Sequence, residues 1–146
     1  VSGERSEEVK DFFSNGLLDV RSIGSQIGKA ASLKIAYGAW TKGSSALILA
    51  VRAMAKSSGV EKELIEEWKL SQPSAESLTL LSASLNSPKA WRFVSEMQEI
   101  SKTFEAENIP SAFWEAAAEI YARLSEFKDF SEDQLDIDTV LEKLIE

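Results

Sequence analysis

Neither cysteine nor histidine occurs in this chain of 146 residues. Their absence removes a thiol nucleophile, a disulfide framework, a histidine general base and the usual structural zinc sites. Any proton transfer therefore falls to lysine, aspartate, glutamate or tyrosine. Cations are scarce too: 16 basic against 24 acidic residues leave a formal charge of -8. No block of lysine or arginine is dense enough to track a phosphate backbone, which argues against nucleic acid as a partner. Long apolar runs are missing as well. The longest, Ala46 to Ala55, is interrupted by Arg52 and is too short to span a bilayer. Val1 to Asp11 is polar and charged, unlike a signal peptide. A cytoplasmic protein with no membrane partner is the expectation. The length suits one medium-sized domain, or a small unit plus part of another. The start at Val1, without a methionine, suggests a piece of something longer.

What is present is mostly helical pattern. Glu4 to Phe13 places Val9, Phe12 and Phe13 on one side of a short amphipathic helix, stopped by Asn15-Gly16. Leu18 to Ile23 alternates apolar and polar residues and predicts a half-buried strand before Gly24. Residues 1–27 thus read as the terminal αβ piece of a sheet domain whose other strands precede Val1. Residues 28–146 read as an all-helical domain, to which the family resemblance described below would give substrate binding and dimerisation. Within it, Lys29 to Ser57 contains no proline and predicts one long central helix. Further helices are predicted over Glu61–Ser71, from Pro73-Ser74 through Leu85, and over Lys89–Glu107, Ser111–Phe127 and Thr139–Ile145. Asn86-Ser87-Pro88, Asn108-Ile109-Pro110 and the acidic stretch Asp129 to Asp138, read as a solvated cap, separate the later ones. The fold class is mainly α, a helical bundle around the long helix.

Gly28 to Gly43, GKAASLKIAYGAWTKG, carries the first hint of chemistry. Lys34 stands there among small, apolar and aromatic residues, with Lys29 its nearest charged neighbour on the N-terminal side. A lysine desolvated in such a run gives up its proton more readily. At about 100° per residue, Lys34, Thr41, Ser45 and Arg52 fall nearly on one line. The most apolar helix therefore bears one narrow polar seam, flanked by Tyr37 and Gly38. Its N-terminal end favours an anion, such as a substrate carboxylate or phosphate. The plainer reading is a lysine whose head group reaches solvent. Arg92 and Lys89 are candidates for holding a substrate carboxylate, against an ordinary ion pair between Arg92 and Glu96. Lys42 lies about 80° off the seam. Trp40, Trp68, Trp91 and Trp114 read as core or interface anchors.

A helix, a strand, a glycine and then GKAASLK opening a very long helix resemble the β-hydroxyacid dehydrogenase superfamily, which includes 3-hydroxyisobutyrate and 6-phosphogluconate dehydrogenases. ASLKIAY, AWTKG, and KAWRF followed by EMQEI are similar to a poorly characterised branch of NAD-binding, 6-phosphogluconate dehydrogenase-like proteins. The resemblance covers roughly Val1 to Lys128. It implies a nucleotide-binding domain ahead of the helical one, NAD or NADP as cofactor, and a catalytic lysine six residues after the first glycine, which is Lys34. The substrate implied is a small hydroxyacid held by Tyr37, Gly38, Thr41 and Arg92. Gly28, Gln98 and Glu99 are implied at the cofactor, and no metal is. Gly38 stands where better-known members carry a polar residue, and Gln98-Glu99-Ile100 where many carry Lys-Asp-Leu. No GxGxxG fingerprint occurs, so the chain by itself is expected to be inactive. The implied partners are its own N-terminal Rossmann domain and a second copy in a homodimer. The competing class is a stand-alone helical dimerisation or adaptor module without catalysis.

Overall fold

The computed structural model describes residues 1–131 and 134–146. It is mainly helical, with no strand among the described residues. The chain divides into two compact units, Val1–Gly38 and Ala39–Glu146, with the division falling inside the long helix α2 (Lys29–Ser57).

The first unit holds α1 (Ser6–Phe12) and the start of α2. The strand predicted at Leu18–Ile23 does not form. That part of the chain pairs with the first residues: the Val1 ammonium donates to the Arg21 carbonyl at 2.7 Å. The Ile23 N–H donates to Val1 O, and the Gly3 N–H to Gly24 O, both at 3.0 Å. Bonds from both sides of Val1 to residues two apart are the pattern of a parallel pair. One short partner does not sustain a strand, because isolated pairs are marginal. Ser6 donates to Gly24 O and accepts from Ser22, tying α1 to the same segment. No apolar side chain of Val1–Gly38 is buried.

The second unit carries the core. α2 ends where the sequence predicts, in a Schellman motif: the Val60 N–H reaches Ala55 O at 2.9 Å and the Gly59 N–H reaches Lys56 O at 3.1 Å. Gly59 sits at φ 72°, a conformation open to glycine at little cost. Then follow α3 (Glu61–Ser71), α4 (Ala75–Leu81), α5 (Ala90–Ala106), α6 (Ala112–Arg123) and α7 (Ile137–Ile145). A π-helical turn, Ser82–Asn86, and a 3₁₀ turn, Ser87–Lys89, join α4 to α5. A second 3₁₀ turn, Ser125–Asp129, takes the last residues of the helix predicted to reach Phe127. α7 begins earlier than predicted because the Asp136 carboxylate caps it, accepting from the Thr139 N–H at 2.7 Å. Residues 132 and 133 of the acidic stretch lie outside the described residues. Leu49, Met97, Tyr121, Leu124, Val140 and Leu141 are fully buried. Lys56 on α2 pairs with Asp138 at 2.7 Å and Glu142 at 3.4 Å on α7.

Candidate functional site

In the first unit, Gly28 precedes α2 at φ 93° with open space around it. Lys34 is exposed, so the desolvation expected for it is not supplied. The physical reason is local: Leu33 and Tyr37 beside it are themselves 58% and 69% exposed, and Ala31 and Ala36 are exposed as well. Apolar neighbours shed water from a lysine only when something packs over them.

In the second unit the polar seam turns inward. Thr41 is half-buried, and Ser45 and Arg52 are buried at 6% exposure each. Arg52 Nε donates to Glu61 Oε1 at 2.8 Å, joining α2 to the first turn of α3. Ser45 accepts from the Asn86 side-chain amide at 2.7 Å. The Tyr121 hydroxyl, beside Ser45, donates to the Lys42 carbonyl at 2.7 Å. Burial pushes the Tyr121 phenol well above its ordinary pKa; the Ser45 hydroxyl opposes the shift and the Glu96 carboxylate adds to it. Tyr121 is therefore a fixed hydrogen-bond donor at neutral pH and not a proton carrier.

The basic residues lie elsewhere. Lys42 pairs with Glu96 at 2.6 Å and sits 5.2 Å from the Phe93 ring centroid. Glu96, the partner expected for Arg92, is thus engaged by Lys42. Arg92 is exposed and lies 5.8 Å from the Trp91 ring, which Lys128 approaches at 4.7 Å. Gln98 and Glu99 are exposed farther along α5.

A cleft of about 220 Å³ opens between α2 and the end of α4 with its π turn. Of the residues expected at a site it takes Thr41 alone, together with Ser45 from the seam. Ser44, Ser82 and Asn86 complete its polar lining. Neither Ser82 nor Asn86 stands out by spacing, and Asn86-Ser87-Pro88 reads in the sequence only as a break. The available signal was the density of serine and asparagine, Ser82, Ser84, Asn86 and Ser87, in a segment that is also helix-spaced in leucine. A larger apolar groove of about 410 Å³ lies among Ala53, Met54, Ile120, Leu144 and Ile145. Arg123 closes one side, donating to Leu144 O at 3.0 Å and pairing with Glu119 at 3.1 Å.

Among the described residues no group of acidic side chains could hold a metal ion, and no helix is long and apolar enough to cross a membrane. A dinucleotide does not fit this chain by itself. Its pyrophosphate needs a glycine-rich turn at a helix N-terminus, whereas α2 opens on Gly28 alone and the next residues are Lys29 and Ala30.

Residues 55–124, from the end of α2 through α6, match the model of a family described as a domain of unknown function (DUF1932). The match contains Ser82 and Asn86 but not Lys34 or Thr41. No curated protein matches the chain. A solved structure, a conserved hypothetical protein from Sinorhizobium meliloti 1021, is similar over 99% of this chain with a TM-score of 0.77 and 22% identity. The chain spans about half the length of that protein, covering 50% of it. At this identity the likeness establishes the fold: a helical unit of this architecture, found as half of a longer protein.

Proposed function

We propose that this chain is the helical half of a cytoplasmic NAD(P)-dependent oxidoreductase acting on a small hydroxyacid, with Lys34 as its proton-transferring group. The observation that carries the reading is the placement of GKAASLK. It opens a 29-residue helix and sets Lys34 on the second turn, six residues after Gly28. Two further observations support it. The likeness to a solved chain of twice the length leaves room for a nucleotide-binding domain. The first unit, with a parallel backbone pair and no buried apolar side chain, has the makings of the end of a larger sheet.

The cofactor would supply hydride acceptance from residues outside this chain. The chain's own work is to hold the substrate and move a proton: the Lys34 amine takes the proton of the substrate hydroxyl and returns it in the reverse direction. An exposed lysine does this poorly, so the domain that brings the cofactor must also cover Leu33, Lys34 and Tyr37 and exclude water. Tyr37, Gly38, Thr41 and Arg92 are the substrate-holding candidates, and Gly28, Gln98 and Glu99 those for the cofactor.

The test uses the full-length native protein. Wild type and Lys34→Met are compared for reduction of NAD+ and NADP+ with 3-hydroxyisobutyrate, 6-phosphogluconate and related hydroxyacids. The variant should keep its circular dichroism and lose roughly 10²–10⁴-fold in kcat. Normal turnover by Lys34→Met would sink the proposal.

One observation also favours association. Trp40, Leu47 and Met54 recur every seven residues along α2 and are 73%, 48% and 59% exposed. Such a seam suits a second helix. It supports a homodimer under the dehydrogenase reading, and it would equally serve an adaptor module without catalysis.

A further inference from the structure

We infer that the cleft between α2 and the π turn binds a small neutral molecule, a short aliphatic chain ending in an amide, carbonyl or hydroxyl group. The inference stands apart from any role of Lys34. The lining of the cleft is of two chemical kinds: the hydroxyls of Thr41, Ser44, Ser45 and Ser82 with the amide of Asn86, and the apolar chains of Ile48, Leu78, Leu81 and Leu85. Ser45 and Ser82 are each more than nine-tenths buried and still border the cleft. Burying hydroxyls at the base of an apolar slot is costly unless they are hydrogen-bonded. Here Ser45 accepts from Asn86 and also hydrogen-bonds Tyr121, so the polar groups are held in place, and a ligand head group would extend that network.

No charged side chain lines the cleft. Lys42, on the same helix, is already neutralised by Glu96 at 2.6 Å. An ionised ligand would therefore give up water without meeting a counter-charge, which disfavours carboxylates and phosphates. Hydroxyls and a primary amide both donate and accept, which suits a neutral polar head. A volume of about 220 Å³ corresponds to roughly seven waters at ~30 Å³ each, enough for a chain of a few carbons with its head group.

The apolar rim is otherwise unexplained. Leu78 and Leu81 are 50% and 52% exposed, although α4 is packed in the same unit as the core. The backbone is also unusual at this point. π-helical turns are rare and widen the helix, and they occur disproportionately at functional sites. Here the π turn contributes Ser82, Leu85 and Asn86.

The experiment is a titration of the isotope-labelled chain with pentanamide, and separately with pentanoate, followed by amide chemical shifts. Pentanamide should move the signals of Ser45, Ser82 and Asn86 saturably, and pentanoate should bind about tenfold more weakly or worse. Leu81→Trp, at an exposed rim position, should abolish the shifts while the rest of the spectrum stays in place. If pentanamide leaves those signals unmoved or moves another region, the inference fails. It fails equally if pentanoate binds as well, or if a folded Leu81→Trp binds like the wild type. Should Leu81→Trp not fold, the comparison of amide with carboxylate decides alone.

Discussion

A methyl group placed on Gly43 would meet Cζ3 of the Trp114 indole, with two further ring carbons at 3.2 and 3.3 Å. The far end of a side chain can often yield, but this ring is held. Phe104 and Phe113 both lie 4.8 Å from it, centroid to centroid. Gly43→Ala should therefore destabilise the chain by about 1–3 kcal/mol, the cost of overpacking. Urea unfolding followed by tryptophan fluorescence measures it, and an unchanged midpoint would mean the indole can step aside. At this same scale the site was legible only in part. The helical repeat of Thr41, Ser45 and Arg52 marks a polar line, and the line is there. Whether its members face water or protein depends on what packs over each turn, which spacing does not encode. Hence Arg52 is buried and Lys34 is not. Asn86 went unread for a related reason, since a residue that looks like punctuation in sequence became a hydrogen-bond donor to a helix 41 residues away.

Elements were easier to read than residues. α2 and α3 begin and end where periodicity, the lack of proline and a glycine stop place them. Such long, strongly patterned segments carry their own evidence. The strand at Leu18–Ile23 failed because alternation describes a strand's faces and cannot supply its neighbours. Between elements, the Arg52–Glu61 pair is the most exposed to test. Arg52 Nη1 is buried with no hydrogen-bond partner, so the pair is imperfectly satisfied. Breaking a buried pair leaves a bare charge and costs about 3–5 kcal/mol, whereas replacing both partners with apolar residues is often neutral or stabilising. Glu61→Ala should lower stability by that amount in chemical denaturation. Arg52→Met combined with Glu61→Leu should recover most of it. If the double variant is no better than the single one, the pair matters for geometry and not for charge.

For the whole molecule, burial is one-sided. The core belongs to Ala39–Glu146, while Val1–Gly38 buries no apolar side chain and leaves Phe12, Leu17 and Ile27 largely exposed. Apolar surface left in water at this density marks interaction surfaces. On the second unit, association through Trp40, Leu47 and Met54 is open to a direct check. Leu47→Glu should move the sedimentation coefficient from a dimer's to a monomer's, and a wild-type chain that sediments as a monomer would remove this role from the seam. The π turn, finally, makes chain length informative. Such a turn holds one residue more than an α-helix needs. A relative one residue shorter between Leu81 and Ser87 could run straight through as an α-helix, and side chains within the turn itself would be re-aimed by about 100° per residue of shift. The side chain at the position of Asn86 would then swing away from the position of Ser45, and the cleft would lose its amide with every other residue unchanged. A single deletion could thus separate proteins that share this fold into those that keep the cleft and those that never had it.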